Sequence, residues 1–170
     1  MKNYEIGSGQ LSLAIIAQLI KERTKLSLSA LAVKRIEKCR KYLDDKLSNN
    51  GDPIYGINTG FGYLQHIKIE SDNLTQLQHN LLLSHACGTG QEVPKEIVKL
   101  MLLLKVQSLS YGHSAIALTT VQRLIDFYNN DILPVIYTQG SLGASGDLAP
   151  LAHLALPLIG EGEVWYKDER

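Results

Sequence analysis

Cysteine is scarce in this 170-residue chain: Cys39 and Cys87 stand far apart and form no CxxC pair. That excludes a disulfide-stapled secreted framework and a thiolate zinc site, and fits a reducing, cytoplasmic setting. Charge of one sign is lacking too, since 17 Lys and Arg balance 17 Asp and Glu. No chain-wide electrostatic footprint therefore points to nucleic acid or to an anionic membrane. Long hydrophobic runs are missing. Even Ile97-Val98-Lys99-Leu100-Met101-Leu102-Leu103-Leu104 is broken by Lys99 and closed by Lys105, well short of the ~20 apolar residues that span a bilayer. The opening Met1-Lys2-Asn3-Tyr4 leads into no apolar signal segment. His66, His79, His113 and His153 share no metal-ligand spacing with one another or with either cysteine, so no metal site is expected. Internal repeats, low-complexity tracts and Pro/Gly/Ser linkers are absent as well. What remains is the expectation of a soluble cytoplasmic protein with a small or proteinaceous partner.

A composition of 45% hydrophobic residues suffices to bury a core, so a single globular domain is expected. Apolar periodicity predicts a mainly α fold with helices near 29–47, 73–86, 95–110, 119–129 and 148–158. In the first, Val33, Ile36, Cys39, Leu43 and Leu47 follow a cap at Ser27 or Ser29, and Asn49-Asn50-Gly51 ends the helix. In the second, Leu74, Leu77 and Leu81 follow Ser71-Asp72 and lead Ser84 and His85 to a turn near Gly88. Pro94 suits the first turn of the third, whose Ile97, Leu100, Met101 and Leu104 share one face of a helix expected to be buried. Thr119 or Thr120 starts the fourth, with Val121, Leu124, Ile125 and Tyr128. Strand signals are confined to Leu133–Tyr137 and to the segment after Gly160, which reads as a turn entering an extended pair without its return strand. A truncated chain is expected to look this way.

The densest chemical signal is Gly140-Ser141-Leu142-Gly143-Ala144-Ser145-Gly146-Asp147-Leu148-Ala149-Pro150-Leu151-Ala152-His153. Small residues form a tight turn before a helix that Asp147 can cap, with Pro150 in its first turn and Leu151, Leu154 and Leu158 as its buried stripe. Gly143 and Gly146 permit backbone geometries that other residues resist, and Ser145 is set at a positive helix end. Three readings stand. One is an ordinary glycine-rich turn with a helix cap. A second is a phosphate cradle, although no Lys-Ser/Thr pair and no strong βαβ pattern accompany the glycines. In the third, the Gly146 nitrogen attacks the Ala144 carbonyl carbon, and loss of one water from the ring and one from Ser145 leaves a methylidene-imidazolone. Small flanking residues are what that contortion demands.

Two further segments bear on the choice. Tyr55-Gly56-Ile57-Asn58-Thr59-Gly60-Phe61-Gly62 alone reads as a glycine-rich turn with Tyr55 and Phe61 packed on the surface. Leu83-Ser84-His85-Ala86-Cys87-Gly88 alone reads as a helix end with His85 bonded to a nearby carbonyl. Taken together and in this order, the three segments resemble the signatures of the histidine and phenylalanine ammonia-lyase family. The likeness covers nearly the whole chain after its opening segment.

That resemblance implies the family's helical fold, with 1–170 as the amino-terminal part that bears the prosthetic group and the carboxy-terminal helical bundle outside it. It implies an autocatalytic 4-methylidene-imidazol-5-one (MIO) made from Ala144, Ser145 and Gly146, with no metal and no nucleotide. It assigns Tyr55 the part of catalytic acid/base that takes the substrate's β proton, and His85 and Gly62 to substrate contact. Ser84-His85 is similar to the pair typical of members that act on histidine and of some tyrosine-specific ones, whereas plant phenylalanine-specific members carry an apolar pair. The run Asp147–His153 points the same way. The implied reaction is that of a carbon–nitrogen lyase taking ammonia from L-histidine to leave urocanate, with tyrosine or phenylalanine ammonia-lyase or aminomutase activity as alternatives. Both the amine-adduct and ring-attack routes are open. Family members are tetramers whose sites are shared between subunits, and their asparagine, second tyrosine, carboxylate-binding arginine and late glutamate fall outside these residues. The segment alone is therefore expected to be inactive, with its tripeptide unmodified. A short non-catalytic relative that binds lyase subunits is the alternative of another class.

Overall fold

The computed structural model describes residues 2–49, 52–167 and 169–170. Six α-helices dominate them: α1 (Leu13–Lys21), α2 (Ala30–Asn49), α3 (Leu74–His85), α4 (Lys95–Ser110), α5 (Leu118–Asn129) and α6 (Leu148–Ala155). The strands are short: β1 (Asn3–Ile6), β2 (Lys25–Leu28), β3 (Thr89–Glu92), β4 (Leu133–Pro134), β5 (Tyr137–Gln139) and β6 (Val164–Trp165). The mainly α expectation holds. The elements gather into two compact units, each discontinuous in sequence: Met1–Lys46 with Pro94–Leu133 and Val164–Arg170, and Leu47–Val93 with Pro134–Glu163.

In the first unit β1 and β2 lie parallel, Asn3 opposite Lys25 and Ile6 opposite Leu28, with α1 as the crossover between them. The Ser12 hydroxyl caps α1 by accepting the Ile15 N–H at 3.3 Å. These three elements correct the expectation that strands are confined to later segments. Of the eight residues in the two strands only Ile6 and Leu26 are buried, too few to imprint an alternation. Ser29 rather than Ser27 caps α2, its hydroxyl taking the Ala32 N–H at 3.1 Å. The buried face of α2 is Ala32, Ile36 and Leu43, while the predicted stop at Asn50-Gly51 lies outside the described residues.

Helix α4 starts and ends where predicted, but Pro94 sits at its cap position rather than in its first turn. Its buried face is also rotated. Val98, Leu102, Leu103, Val106 and Leu109 are buried, whereas Ile97 and Leu104 are 47% and 45% exposed. A helix that is apolar almost all round has no unique face in its spacing. It packs on α5, whose Val121, Leu124, Ile125 and Tyr128 are buried as the spacing predicts. Ala117, not a threonine, stands at the α5 cap.

In the second unit a 3₁₀ turn, Ser71–Asn73, leads into α3, which packs on α6. The helix predicted to 158 ends as α at Ala155 and continues as a 3₁₀ turn, Leu156–Ile159, where Pro157 has no N–H to offer the α pattern. Strand β3, unexpected from a segment containing Gly90, pairs antiparallel with β5 through Thr89–Gln139 and Glu92–Tyr137, with a register shift between. The predicted strand Leu133–Tyr137 is thus divided. Its middle is held by single bonds, the Val93 N–H to the Ile136 carbonyl at 2.7 Å and the Val135 N–H to the Glu163 carbonyl at 2.9 Å.

At the end of α5 the Asn129 amide mimics a strand. Its Oδ1 accepts the Leu26 N–H at 2.8 Å and its Nδ2 donates to the Leu26 carbonyl at 2.9 Å. Asn129→Leu leaves both part-buried groups unpaired, so it is expected to lower stability by about 1–3 kcal/mol. The measurement is the urea midpoint, which should fall at unchanged slope.

Candidate active site

All residues to which the sequence assigned chemistry fall in the second unit. The Tyr55 loop runs from Asp52 to Ile69 and includes a 3₁₀ turn, Gly62–His66; buried polar side chains hold the part around the tyrosine. Asn58, 4% exposed, accepts the Ile54 N–H through Oδ1 at 2.6 Å and donates through Nδ2 to the Asp52 carbonyl at 3.1 Å. Thr59, fully buried, takes the Gly56 N–H at 3.2 Å. From α3, the Gln78 amide donates to the Gly56 and Ile57 carbonyls at 3.0 Å each. Gly56 has φ +69°, and a Cβ there would lie 2.7 Å from the Phe61 ring, so only glycine lets the loop close on that ring.

These bonds bring the sequence candidates together. Tyr55 is 60% exposed and its hydroxyl oxygen accepts the Gly62 N–H at 3.3 Å. Its ring lies 5.7 Å from that of Phe61, and Phe61 meets His85 edge-on at 5.3 Å. His85, at the end of α3, places Nδ1 2.7 Å from the Leu81 carbonyl and 3.2 Å from the Ser84 hydroxyl. A carbonyl can only accept, so Nδ1 donates this bond, and in the neutral tautomer Nε2 is the acceptor.

Ala144, Ser145 and Gly146 lie in an exposed turn ahead of α6. The Leu142 carbonyl accepts the Ser145 N–H at 3.0 Å, the Ser145 hydroxyl at 2.7 Å and the Asp147 N–H at 3.2 Å, while the Gly146 N–H goes to the Gly143 carbonyl at 3.0 Å. Asp147 stands at the cap position, but it does not cap. At φ +55° it is left-handed rather than extended, and its carboxylate accepts the Ser141 hydroxyl at 2.6 Å instead. Among the described residues no hydrogen bond joins this turn to the Tyr55 cluster.

A residue that carried no role in the sequence reading links the neighbouring segments. His153 of α6 accepts the Gly88 N–H through Nε2 at 3.0 Å and meets the Tyr137 ring edge-on at 5.3 Å. Asn58, Thr59 and Gln78 were likewise missed; Asn and Thr within a glycine-rich loop are a turn-forming signal that could have marked the first two. Among the described residues no group of three or more His, Cys, Asp or Glu side chains could hold a metal ion. No helix of the described residues is long and apolar enough to cross a membrane.

The family model for aromatic amino acid lyase matches residues 11–170. The chain is 46% identical over 159 residues to histidine ammonia-lyase of Deinococcus radiodurans, a match covering 94% of this chain and 30% of that protein. Among solved structures it superposes on the ergothioneine-degrading ergothionase of Treponema denticola with a TM-score of 0.93 at 30% identity. On histidine ammonia-lyase of Trypanosoma cruzi the TM-score is 0.84 at 34% identity. Both structural matches cover 99% of this chain, and 33% and 32% of those chains. The chain thus spans about a third of the length of these relatives.

Burial holds the His153 imidazole below its ordinary value of 6.5. A base depressed in the folded state binds fewer protons there than in the unfolded chain. Its stabilising contribution is therefore present above 6.5 and is lost as pH falls through 6.5 toward the folded value. Unfolding midpoints measured across that window should decline on acidification, and less steeply for His153→Gln, which has no proton to take up.

Proposed function

Because the chain belongs to the aromatic amino acid lyase family, we propose that the full-length protein is a carbon–nitrogen lyase that releases ammonia from L-histidine and leaves urocanate. The observation that carries this reading is the cluster of Tyr55, Phe61, Gly62 and His85 within the unit that also holds the Ala144-Ser145-Gly146 turn. Elimination of ammonia needs a base for the β hydrogen and an electrophile that improves the leaving amine or acidifies that hydrogen. Tyr55 is the base. The Gly62 N–H on its oxygen is a donor that holds the oxygen in place through proton transfer. His85 receives the substrate side chain: with its Nδ1 proton committed to Leu81, its Nε2 suits an imidazole N–H. A phenol O–H can meet the same acceptor, which makes tyrosine elimination the second reading.

Ala144, Ser145 and Gly146 fit a self-derived MIO. The turn is exposed, a Cβ at Gly143 or Gly146 would meet nothing within 4 Å, and Gly146 holds φ +87°. Once formed, that group supplies the electrophile at the Ser145 position. The Leu142 carbonyl, through its three bonds, and Asp147, through Ser141, fix the turn's place at the head of α6. The Gly146 N–H is committed to the Gly143 carbonyl, which supports the view that maturation waits for the rest of the protein. The exposure of Tyr55 and of the turn accords with sites completed by later helices and by neighbouring subunits of a cytoplasmic homotetramer.

The full-length protein is expected to form urocanate from L-histidine faster than coumarate from tyrosine or cinnamate from phenylalanine, and faster than it degrades ergothioneine. Tyr55→Phe should lower kcat by about 10²–10⁴-fold. Ser145→Ala should abolish turnover with unchanged circular dichroism, and in the active protein a mass deficit of two waters should map to the Ala144-Ser145-Gly146 peptide. A different preferred product, or substantial turnover by Ser145→Ala, overturns the reading.

A further inference from the structure

We infer that His153 is a positioning residue of this site: by accepting the Gly88 amide proton it ties the segment leaving His85 to the helix that follows the Ala144–Gly146 turn, and so sets where the substrate side chain rests. The inference depends on the reading above that His85 receives that side chain.

Three observations carry it. The first is the bond itself, Gly88 N–H to His153 Nε2 at 3.0 Å, which joins residues far apart in sequence but within one unit. The second is the closeness of the surroundings. A Cβ at Gly88 would lie 3.0 Å from His153 Nε2, 3.1 Å from its Cδ2 and 3.3 Å from the Gln139 carbonyl. A Cβ at Gly140, itself at φ +117°, would lie 3.1 Å from the Gly88 Cα. Backbone, imidazole and backbone thus meet with no flexible side chain between them to absorb a shift. The third is the stiffness of the path from Gly88 back to His85. The Ala86 N–H donates to the Leu82 carbonyl at 3.1 Å and the Cys87 N–H to the His85 carbonyl at 2.9 Å. A displacement of Gly88 is therefore passed to His85 rather than lost in a loose loop.

What histidine supplies here is an acceptor. A side chain present only to fill space and to meet the Tyr137 ring could be leucine or phenylalanine, but neither satisfies the part-buried Gly88 N–H. The neutral imidazole accepts, whereas the imidazolium has no lone pair to offer. Burial favours the neutral form.

The test uses the full-length protein. His153→Leu removes the acceptor at similar volume and is expected to raise KM for L-histidine by about five- to tenfold, the worth of one lost hydrogen bond, while kcat changes by less than about threefold. Amide exchange followed by mass spectrometry should quicken in the peptide spanning residues 86–90. His153→Gln, whose side-chain oxygen can take the same N–H, should restore both KM and exchange. Gly88→Ala presses a methyl group onto the imidazole and keeps the question open should the leucine variant fail to fold; it should raise KM likewise. Unchanged KM and exchange in a folded His153→Leu, unchanged KM in Gly88→Ala, or a glutamine variant that behaves like the leucine one overturns the inference. Absence of urocanate formation by the unsubstituted protein counts instead against the assignment of His85, and the exchange comparison then decides on the tie alone.

Discussion

A backbone that adopts neither helix nor strand must still pair its N–H and C=O groups or lose its shape, and the Tyr55 loop meets that constraint through the buried side-chain amide of Asn58. One amide, bonded to Ile54 on one side and Asp52 on the other, folds the loop around itself. Thr59 and Gln78 close what Asn58 leaves open. The position of the Tyr55 oxygen, the tilt of the Phe61 ring beside it and the edge that ring presents to His85 all depend on this arrangement. Removing the Asn58 amide would leave the part-buried Ile54 N–H and the Asp52 carbonyl without the partner that folds the loop around it.

The residues proposed for the chemistry therefore sit on exposed segments. Tyr55 and Ser145 reach solvent; the Tyr55 loop is held by the buried Asn58 and Thr59 and by the exposed Gln78 on a helix, and the Ser145 turn by its own backbone at Leu142 with a left-handed Gly146. This division is the usual one in sites where reacting groups ride on loops and the scaffold supplies precision. It also separates two kinds of substitution. Changes to the exposed residues should alter reactivity with little change in folding, and changes to Asn58 or Thr59 should alter both.

Spacing in the sequence located α3, α4 and α5 within a residue or two, because each carries a long apolar period with recognisable ends. It misjudged which face of α4 is buried, since apolar residues surround that helix and only its partner α5 chooses among them. It missed α1, a nine-residue helix of which Leu19 alone is buried. In the site, Tyr55, His85 and the Ala144-Ser145-Gly146 run were singled out because their segments, taken together and in order, resemble family signatures; each segment alone reads as a turn or a helix end. Asn58, Gln78 and His153 were not. Their partners are backbone atoms, and nothing in a side chain's identity says which carbonyl or amide the fold will bring to it. Asp147 was read as a cap for the same reason: its residue type fits the position, and the left-handed backbone that denies it the role is invisible before the turn is built.

The division of the chain into two interleaved units bears on how the protein is made. Each unit is stitched from separate stretches, the second from Leu47–Val93 and Pro134–Glu163. During synthesis the Tyr55 loop and His85 emerge well before their companions, and everything from Pro94 to Leu133 must be looped out before the second unit can close. The entropy of such closure grows only as about 1.5 RT ln n, so the thermodynamic cost is modest; the kinetic one is larger, because contacts of long sequence separation form late. Until Tyr137–Gln139 leave the ribosome, β3 has no partner strand, and until His153 follows, Gly88 has no acceptor. A nascent chain halted anywhere between α4 and α5 holds the Tyr55 loop with its Asn58, Thr59 and Gln78 bonds but neither the acceptor for Gly88 nor the partner strand of β3, so the stretch that leaves His85 is the last of these to be held.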